Sequence, residues 1–177
     1  MTSSTQYSYV GTPFGSLLLV GEDGVLTGLY VADHERAPSP RAEWMPDDEP
    51  FAAVREQIEE YFEDGRQSFD LPLKTVGTEF QRTTWAALQE IPYGETISYR
   101  ELAQIVGKPN AFRAVGSANG RNPISLIIPC HRVIAADGTL GGYGWGLERK
   151  AWLLDFERSV TGRVLLTTPA QATARRT

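Results

Sequence analysis

One cysteine and two histidines are all the thiol and imidazole chemistry that 177 residues contain. A single thiol excludes an internal disulfide and any zinc site built from four cysteines, and an unpaired thiol suits a reducing compartment. Neither a metal nor a cofactor is expected. No apolar run approaches the roughly 18 residues of a membrane span. The opening residues Met1-Thr2-Ser3-Ser4-Thr5 lack both the basic and the apolar region of a secretion signal. The expectation is a cytoplasmic protein without membrane contact. Positive charge is scarce too: 17 Lys and Arg against 22 Asp and Glu leave a net charge of −5, which as an average argues against indiscriminate nucleic-acid binding.

What is present is ordinary for a globular chain, with 41% hydrophobic and 22% charged residues, and the length suffices to bury about 70% of the unfolded surface. The charge is unevenly placed. Acidic side chains dominate from Glu22 to Asp70, whereas Tyr99 to Arg132 carries Arg100, Lys108, Arg113, Arg121 and Arg132 against Glu101 alone. One end of the molecule can therefore face phosphates while the other keeps it in solution.

Tyr7–Val10, Ser16–Val20 and Val25–Val31, separated by turn residues, read as an antiparallel meander. The proline-rich and charged run from Ala37 to Pro50 reads as a loop. Phe51, Val54, Ile58, Tyr61 and Phe62 recur at helical intervals and Gly65 stops them. Two capping boxes come next, Thr78 with Gln81 and Ser98 with Glu101. The first opens a helix with Phe80, Thr84, Leu88 and Ile91 on one face; the second opens a helix ended by Gly107. After four residues, Gly107 to Asn110, Asn110 would cap a third helix. The pair reads as a helix-turn-helix. Its second helix, Ala111, Phe112, Arg113, Ala114, Val115, Gly116, Ser117 and Ala118, is mostly small, which suits close approach to a minor groove better than readout of a major groove.

The one thiol sits in Ile127-Ile128-Pro129-Cys130-His131-Arg132-Val133-Ile134. A free thiol near its reference pKa of about 8.5 is mostly protonated at neutral pH, so a nucleophilic cysteine needs a base or cation nearby. His131 is adjacent, yet consecutive side chains of an extended segment point to opposite faces. Contact would need a tight turn or a water, and Pro129 favours an irregularity there.

Pro129-Cys130-His131-Arg132-Val133-Ile134, with Gly120-Arg121-Asn122-Pro123 before it and Gly142-Tyr143-Gly144 and Leu153-Leu154 after it, resembles the signature of the O6-alkylguanine-DNA alkyltransferases, over about Thr78 to Glu157. The resemblance implies an α+β fold. A small N-terminal antiparallel β-sheet unit of ribonuclease H-like form would span 1–74. A helical, winged-helix-like C-terminal unit with the helix-turn-helix would span 75–166, and a disordered tail 167–177. It implies a protein that binds double-stranded DNA through the minor groove, flips out O6-alkylguanine, and moves the alkyl group irreversibly to Cys130, once per molecule, with O4-alkylthymine as a further substrate. Carried over residue by residue, His131 would take the thiol proton and Glu157 would hold the imidazole. Asn122 would brace the turn around the sulfur, and Tyr99 would meet guanine N3 and protonate the departing base. The carbonyls of Cys130 and Val133 would accept from the exocyclic amine, the Gly144 N–H would face O6, and Tyr143 would wall the pocket. Arg113 would fill the gap in the duplex, with Ala111, Phe112, Ala114, Gly116 and Ser117 of the same helix against the groove.

Three positions depart from the pattern. Phe112 stands where alanine is common, and Trp145 and Ser125 stand where some relatives have glycine and proline. The last two imply a narrower pocket mouth and slow reaction with O6-benzyl substrates. Three other functions compete: a lesion-sensing relative without chemistry, which would carry tryptophan in place of Cys130; a cysteine hydrolase, which would need water access and an oxyanion hole; and a regulatory helix-turn-helix protein, which would need a dimer surface. The expected state is a monomer, with cooperativity on DNA left open.

Overall fold

Three strands, β1 (Thr5–Thr12), β2 (Gly15–Glu22) and β3 (Val25–Val31), form the expected meander. The computed structural model describes residues 3–162, so the expected tail lies outside the described residues. The second turn is Asp23-Gly24, both with positive φ (50° and 79°), the combination a type I′ hairpin requires. In β2 Leu17, Leu18, Leu19 and Val20 are all buried, because β2 is interior in the order β3-β2-β1-β4 and covered on both faces. A bulge lies just after Val20, where Gly21 lets the Phe51 ring approach: a Cβ there would stand 2.9 Å from it.

The segment expected to be a loop is more ordered than its prolines suggest. Within it β4 (Met45–Pro46) pairs in parallel with β1, a place where proline is tolerated because the strand is an outer one. A 3₁₀ turn, Glu49–Phe51, leads into α1 (Ala52–Glu63). Helix α1 buries Val54, Ile58 and Tyr61 and stops at Gly65 (φ 72°).

Both capping boxes form. Thr78 Oγ1 accepts from the Gln81 N–H at 3.1 Å and opens α2 (Glu79–Leu88); Ser98 Oγ accepts from the Glu101 N–H at 3.1 Å and opens α3 (Tyr99–Ile105). Tyr99 is thereby fixed as the first residue of α3. The turn to α4 (Phe112–Gly120) runs through residues 106–111, longer than expected. Asn110 does not cap it: the Ala111 N–H donates to Lys108 O at 2.8 Å, which spends Asn110 inside a turn. Two short strands that the sequence pattern does not predict, β5 (Ile97–Ser98) and β6 (Val133–Ile134), pair in parallel and tie the start of α3 to the cysteine loop. Helix α5 (Leu147–Thr161) closes the described chain.

One apolar core runs through both halves, from Leu17, Leu29 and Ile58 to Leu88, Leu102, Val115 and Leu153. Strand β3 also hydrogen-bonds to segments beyond the sheet: Leu26 N–H donates to Pro72 O (3.0 Å) and Leu29 N–H to Pro123 O (2.9 Å). The first half thus grips the cysteine loop directly. No described helix is long and apolar enough to cross a membrane.

Candidate active site

Residues 122–130 wrap into a small ring around the sulfur. Asn122 braces both ends: its Oδ1 accepts from the Ile124 N–H (3.0 Å) and its Nδ2 donates to Ile128 O (2.7 Å). The Ile128 N–H donates to Ile124 O at 2.9 Å. The turn this closes places Leu126 at φ 79°, a conformation that costs a bulky side chain on the order of 1–3 kcal/mol and persists only where surroundings impose it. Leu126 is fully buried, which supplies the constraint. Pro129 (φ −82°, ψ 65°) then makes an inverse γ-turn, with the Cys130 N–H on Ile128 O at 2.8 Å. Cys130, His131 and Arg132 form a 3₁₀ turn and not an extended stretch, so the thiol and imidazole are not on opposite faces.

Cys130 is 2% exposed. Burial pushes its thiol pKa up, while the Asn122 and Ser125 side chains and the Lys150 ammonium work the other way. Its proton must therefore be removed before the sulfur can attack. Behind it, His131 Nε2 lies 2.7 Å from Glu157 Oε1, both fully buried. Burial pushes the His131 pKa down, against the pull of Glu157, so the ring is neutral. The carboxylate fixes the proton on Nε2 and leaves Nδ1 as a lone-pair acceptor, with no hydrogen-bond partner among the described residues.

Glu157 gathers four more donors. Tyr61 Oη donates from α1 at 2.8 Å, Arg132 Nε and Nη2 each at 2.9 Å, and the Gly94 N–H at 3.2 Å. Burial alone would raise the carboxyl pKa, but His131 and Arg132 outweigh it and hold the group far below the usual carboxylate range. Arg132 also donates to Ile91 O at 2.8 Å and is 6% exposed. Counting it with the phosphate-facing basic residues is therefore a misreading, since its charge is spent on Glu157.

Lys150 on α5 is buried at 0% exposure. Its three N–H groups go to Val133 O (2.6 Å), Leu140 O and Gly142 O (3.1 Å). Burial pushes its pKa down to about 8, and the Cys130 sulfur pulls it back. Lys150 ties the loop carrying Tyr143 and Gly144 to the strand just after the cysteine. The Val133 carbonyl, expected to receive a base amine, already takes one bond from it, and the Cys130 carbonyl takes one from Asn119 Nδ2 at 3.3 Å. Each oxygen keeps a second lone pair.

Above this floor opens a cavity of about 380 Å³, lined among others by Tyr99, Phe112, Arg113, Gly116, Tyr143 and Gly144. Burial raises the pKa of Tyr99, and of Tyr143 more strongly, so both are protonated phenols at neutral pH. Gly141 (φ 68°) lies against the Tyr99 ring, where a Cβ would meet Oη at 2.9 Å. On α4, Phe112, Arg113, Ala114 and Ser117 face solvent, Ala111 and Gly116 are half-buried, and Arg100 stacks over Phe112 at 5.4 Å. Trp145 does not line this cavity. It is 4% exposed, packs on Tyr143 and Phe14, and borders a smaller neighbouring cavity of about 200 Å³ with Ser125 and Asn122.

The structure thus gathers Asn122, Cys130, His131 and Glu157 beneath a pocket bounded by Tyr99, Tyr143 and Gly144, with the small-residue helix at its rim. Sequence reasoning missed Arg132, Lys150, Tyr61 and Asn119 as parts of it. No group of three His, Cys, Asp or Glu side chains able to hold a metal occurs among the described residues.

Residues 5–75 match the family model of the 6-O-methylguanine DNA methyltransferase ribonuclease-like domain, and residues 79–159 that of the 6-O-methylguanine DNA methyltransferase DNA binding domain. A methylated-DNA–protein-cysteine methyltransferase of Mycolicibacterium paratuberculosis is 51% identical over 153 residues, 86% of this chain and 92% of its own length. One from Methanosarcina barkeri is 47% identical over 154 residues, 86% of this chain and 97% of its own. The crystal structure of Mycobacterium tuberculosis OGT in complex with DNA superposes with a TM-score of 0.83 at 45% identity, covering 96% of this chain and 98% of that one.

Proposed function

This chain belongs to the 6-O-methylguanine DNA methyltransferase family, and on that premise we propose that Cys130 is the sulfur that receives the alkyl group. The protein is a methylated-DNA–protein-cysteine methyltransferase, which repairs DNA by direct transfer and not as a lesion sensor. The base must leave the stack to be reached. Arg113, exposed on α4, fills the space it vacates, while Ala111, Phe112, Ala114, Gly116 and Ser117 lie along the minor groove.

In the pocket the neutral His131 takes the thiol proton through a water on Nδ1, and Glu157 stabilises the imidazolium so formed. The sulfur attacks the alkyl carbon, the carbon–O6 bond breaks, and the electron pair leaves with guanine. Tyr99, kept protonated by burial, donates to the departing base, and Tyr143 and the Gly144 N–H hold it. O4-alkylthymine offers the same exocyclic oxygen. The product thioether is a poor leaving group, so each molecule acts once. We place the boundary between the two units at 74/75, read the protein as a monomer, and place it in the cytoplasm, the compartment that its unpaired thiol suits.

What carries the reading is the enclosed thiol, with His131 of the buried His131–Glu157 pair next to it in the chain and with Tyr99 and Tyr143, which line the open cavity, close to the sulfur. Incubation with duplex DNA bearing radiolabelled O6-methylguanine tests it. Label is expected on the wild-type protein and not on Cys130→Ala, and intact mass should rise by one methylene. A folded sample that gains no mass refutes the assignment.

A further inference from the structure

Resting on the alkyl-transfer function above, we propose that the Ser125 hydroxyl is a catalytic hydrogen-bond donor to the Cys130 sulfur, which it holds as the attacking thiolate. The two side chains are five residues apart and meet at 3.6 Å, with Ser125 5% and Cys130 2% exposed. Among the described residues this contact is the hydroxyl's own hydrogen bond. It exists because Leu126 adopts its positive φ and the Ile128 N–H closes the turn onto Ile124 O. A relaxed extended strand would send alternate side chains to opposite faces.

In the resting protein the thiol donates to Ser125 Oγ. Once the proton has left toward His131, sulfur can only accept, and rotation about one bond turns the hydroxyl into the donor. The interaction is therefore stronger after deprotonation than before it, the condition for lowering a barrier and not merely binding. Water is largely excluded from the site, so this donor replaces solvation that bulk water would give the anion. The other groups facing the sulfur are Asn122 on the same loop, Lys150 on α5, Tyr99 on α3 and Tyr143 on the loop before α5. Of these only Lys150 is charged, and its N–H groups are already committed to three carbonyls.

The test compares wild type, Ser125→Ala and Ser125→Thr in pH–rate profiles against two electrophiles: duplex O6-methylguanine, and iodoacetamide, which needs no DNA. Loss of one hydrogen bond to a charged sulfur should move the inflection of Ser125→Ala up by about one pH unit, a roughly tenfold slower reaction below the inflection. At high pH the rate should return to within about threefold of wild type, and Ser125→Thr should restore the low-pH rate with both electrophiles. An Ala profile that superimposes on wild type overturns the proposal, as does a loss of equal size at every pH, the mark of a packing role. If wild type fails with DNA, the alkyl-transfer assignment falls; the iodoacetamide profiles still decide the role of Ser125.

Discussion

Replacing Glu157 with glutamine removes one charge from a fully enclosed site while nearly preserving shape. In the wild type two Oε atoms receive Tyr61, both Arg132 contacts, the Gly94 N–H and His131 Nε2. Glutamine keeps one acceptor oxygen and presents an NH₂ group where a donor already points. Arg132 is then a buried cation without its anion, a loss that costs about 3–5 kcal/mol. For a chain of this size each kcal/mol moves Tm by about 2–4 °C, so Glu157→Gln should melt roughly 6–20 °C lower. The chemical step should suffer separately, because the imidazolium loses the carboxylate that stabilises it; triads whose carboxylate becomes an amide lose up to about 10⁴ in rate. The assay is single-turnover transfer of labelled methyl at a temperature where circular dichroism shows the variant folded, with Tm measured in parallel. A variant within about threefold of the wild-type rate would refute the relay through His131, and an unchanged Tm would refute the account of the Arg132 pair.

Arg113→Ala should leave stability within about 0.5 kcal/mol of wild type, since the side chain is exposed, and should slow repair in duplex DNA but not reaction with a free O6-benzylguanine base; equal losses with both would count against its place in the duplex. Lys150→Met should orphan three carbonyls and slow transfer, and Lys150→Arg should not rescue it, because a planar fork cannot aim at three converging oxygens; an Arg variant with wild-type rate would contradict this. Acid should destabilise the fold in two stages. Unfolded His131 takes a proton below about 6.5 that the native ring refuses, and unfolded Glu157 takes one below about 4.3 that the native carboxylate refuses. Stability is thus full above these values and declines as pH falls from each toward the depressed native pKa, and urea titrations from pH 3 to 8 should show the stage below about 4.3 disappear in Glu157→Gln while the His131 stage persists. Trp145→Gly should lower Tm, since the ring is buried against Phe14 and Tyr143, and should speed O6-benzyl transfer relative to methyl by freeing the Tyr143 ring that lines the cavity; an unchanged ratio means that the indole does not set the pocket width through Tyr143.

Features set by a few neighbouring residues were legible in the chain. Both capping boxes, the Gly65 stop and the Asp23-Gly24 turn depend on spacings of one to four residues. Asn122, Tyr99 and Glu157 came from resemblance, and no local pattern could have supplied their partners. Tyr61 and Glu157 are 96 residues apart, and Lys150 reads as a solvated helix charge until the fold brings three carbonyls to it. Arg132 misleads for the same reason, because its anion lies 25 residues on. Ser125 was noticed only as a change of size. Its contact depends on the positive φ of Leu126, a residue type that gives no hint of such a conformation. Strands β4, β5 and β6 are two residues each, too short for an alternation to appear.

The bonds from Leu26 and Leu29 to Pro72 and Pro123 have a consequence for handling the protein. An unpaired outer strand invites another molecule to add to it, the usual start of aggregation. Here the rest of the chain already covers β3, and β4 shields part of the opposite margin. An excised fragment ending near residue 70 would bare those amides along a strand whose neighbours are leucines and valines, and self-association is the fate to plan for when trimming this molecule.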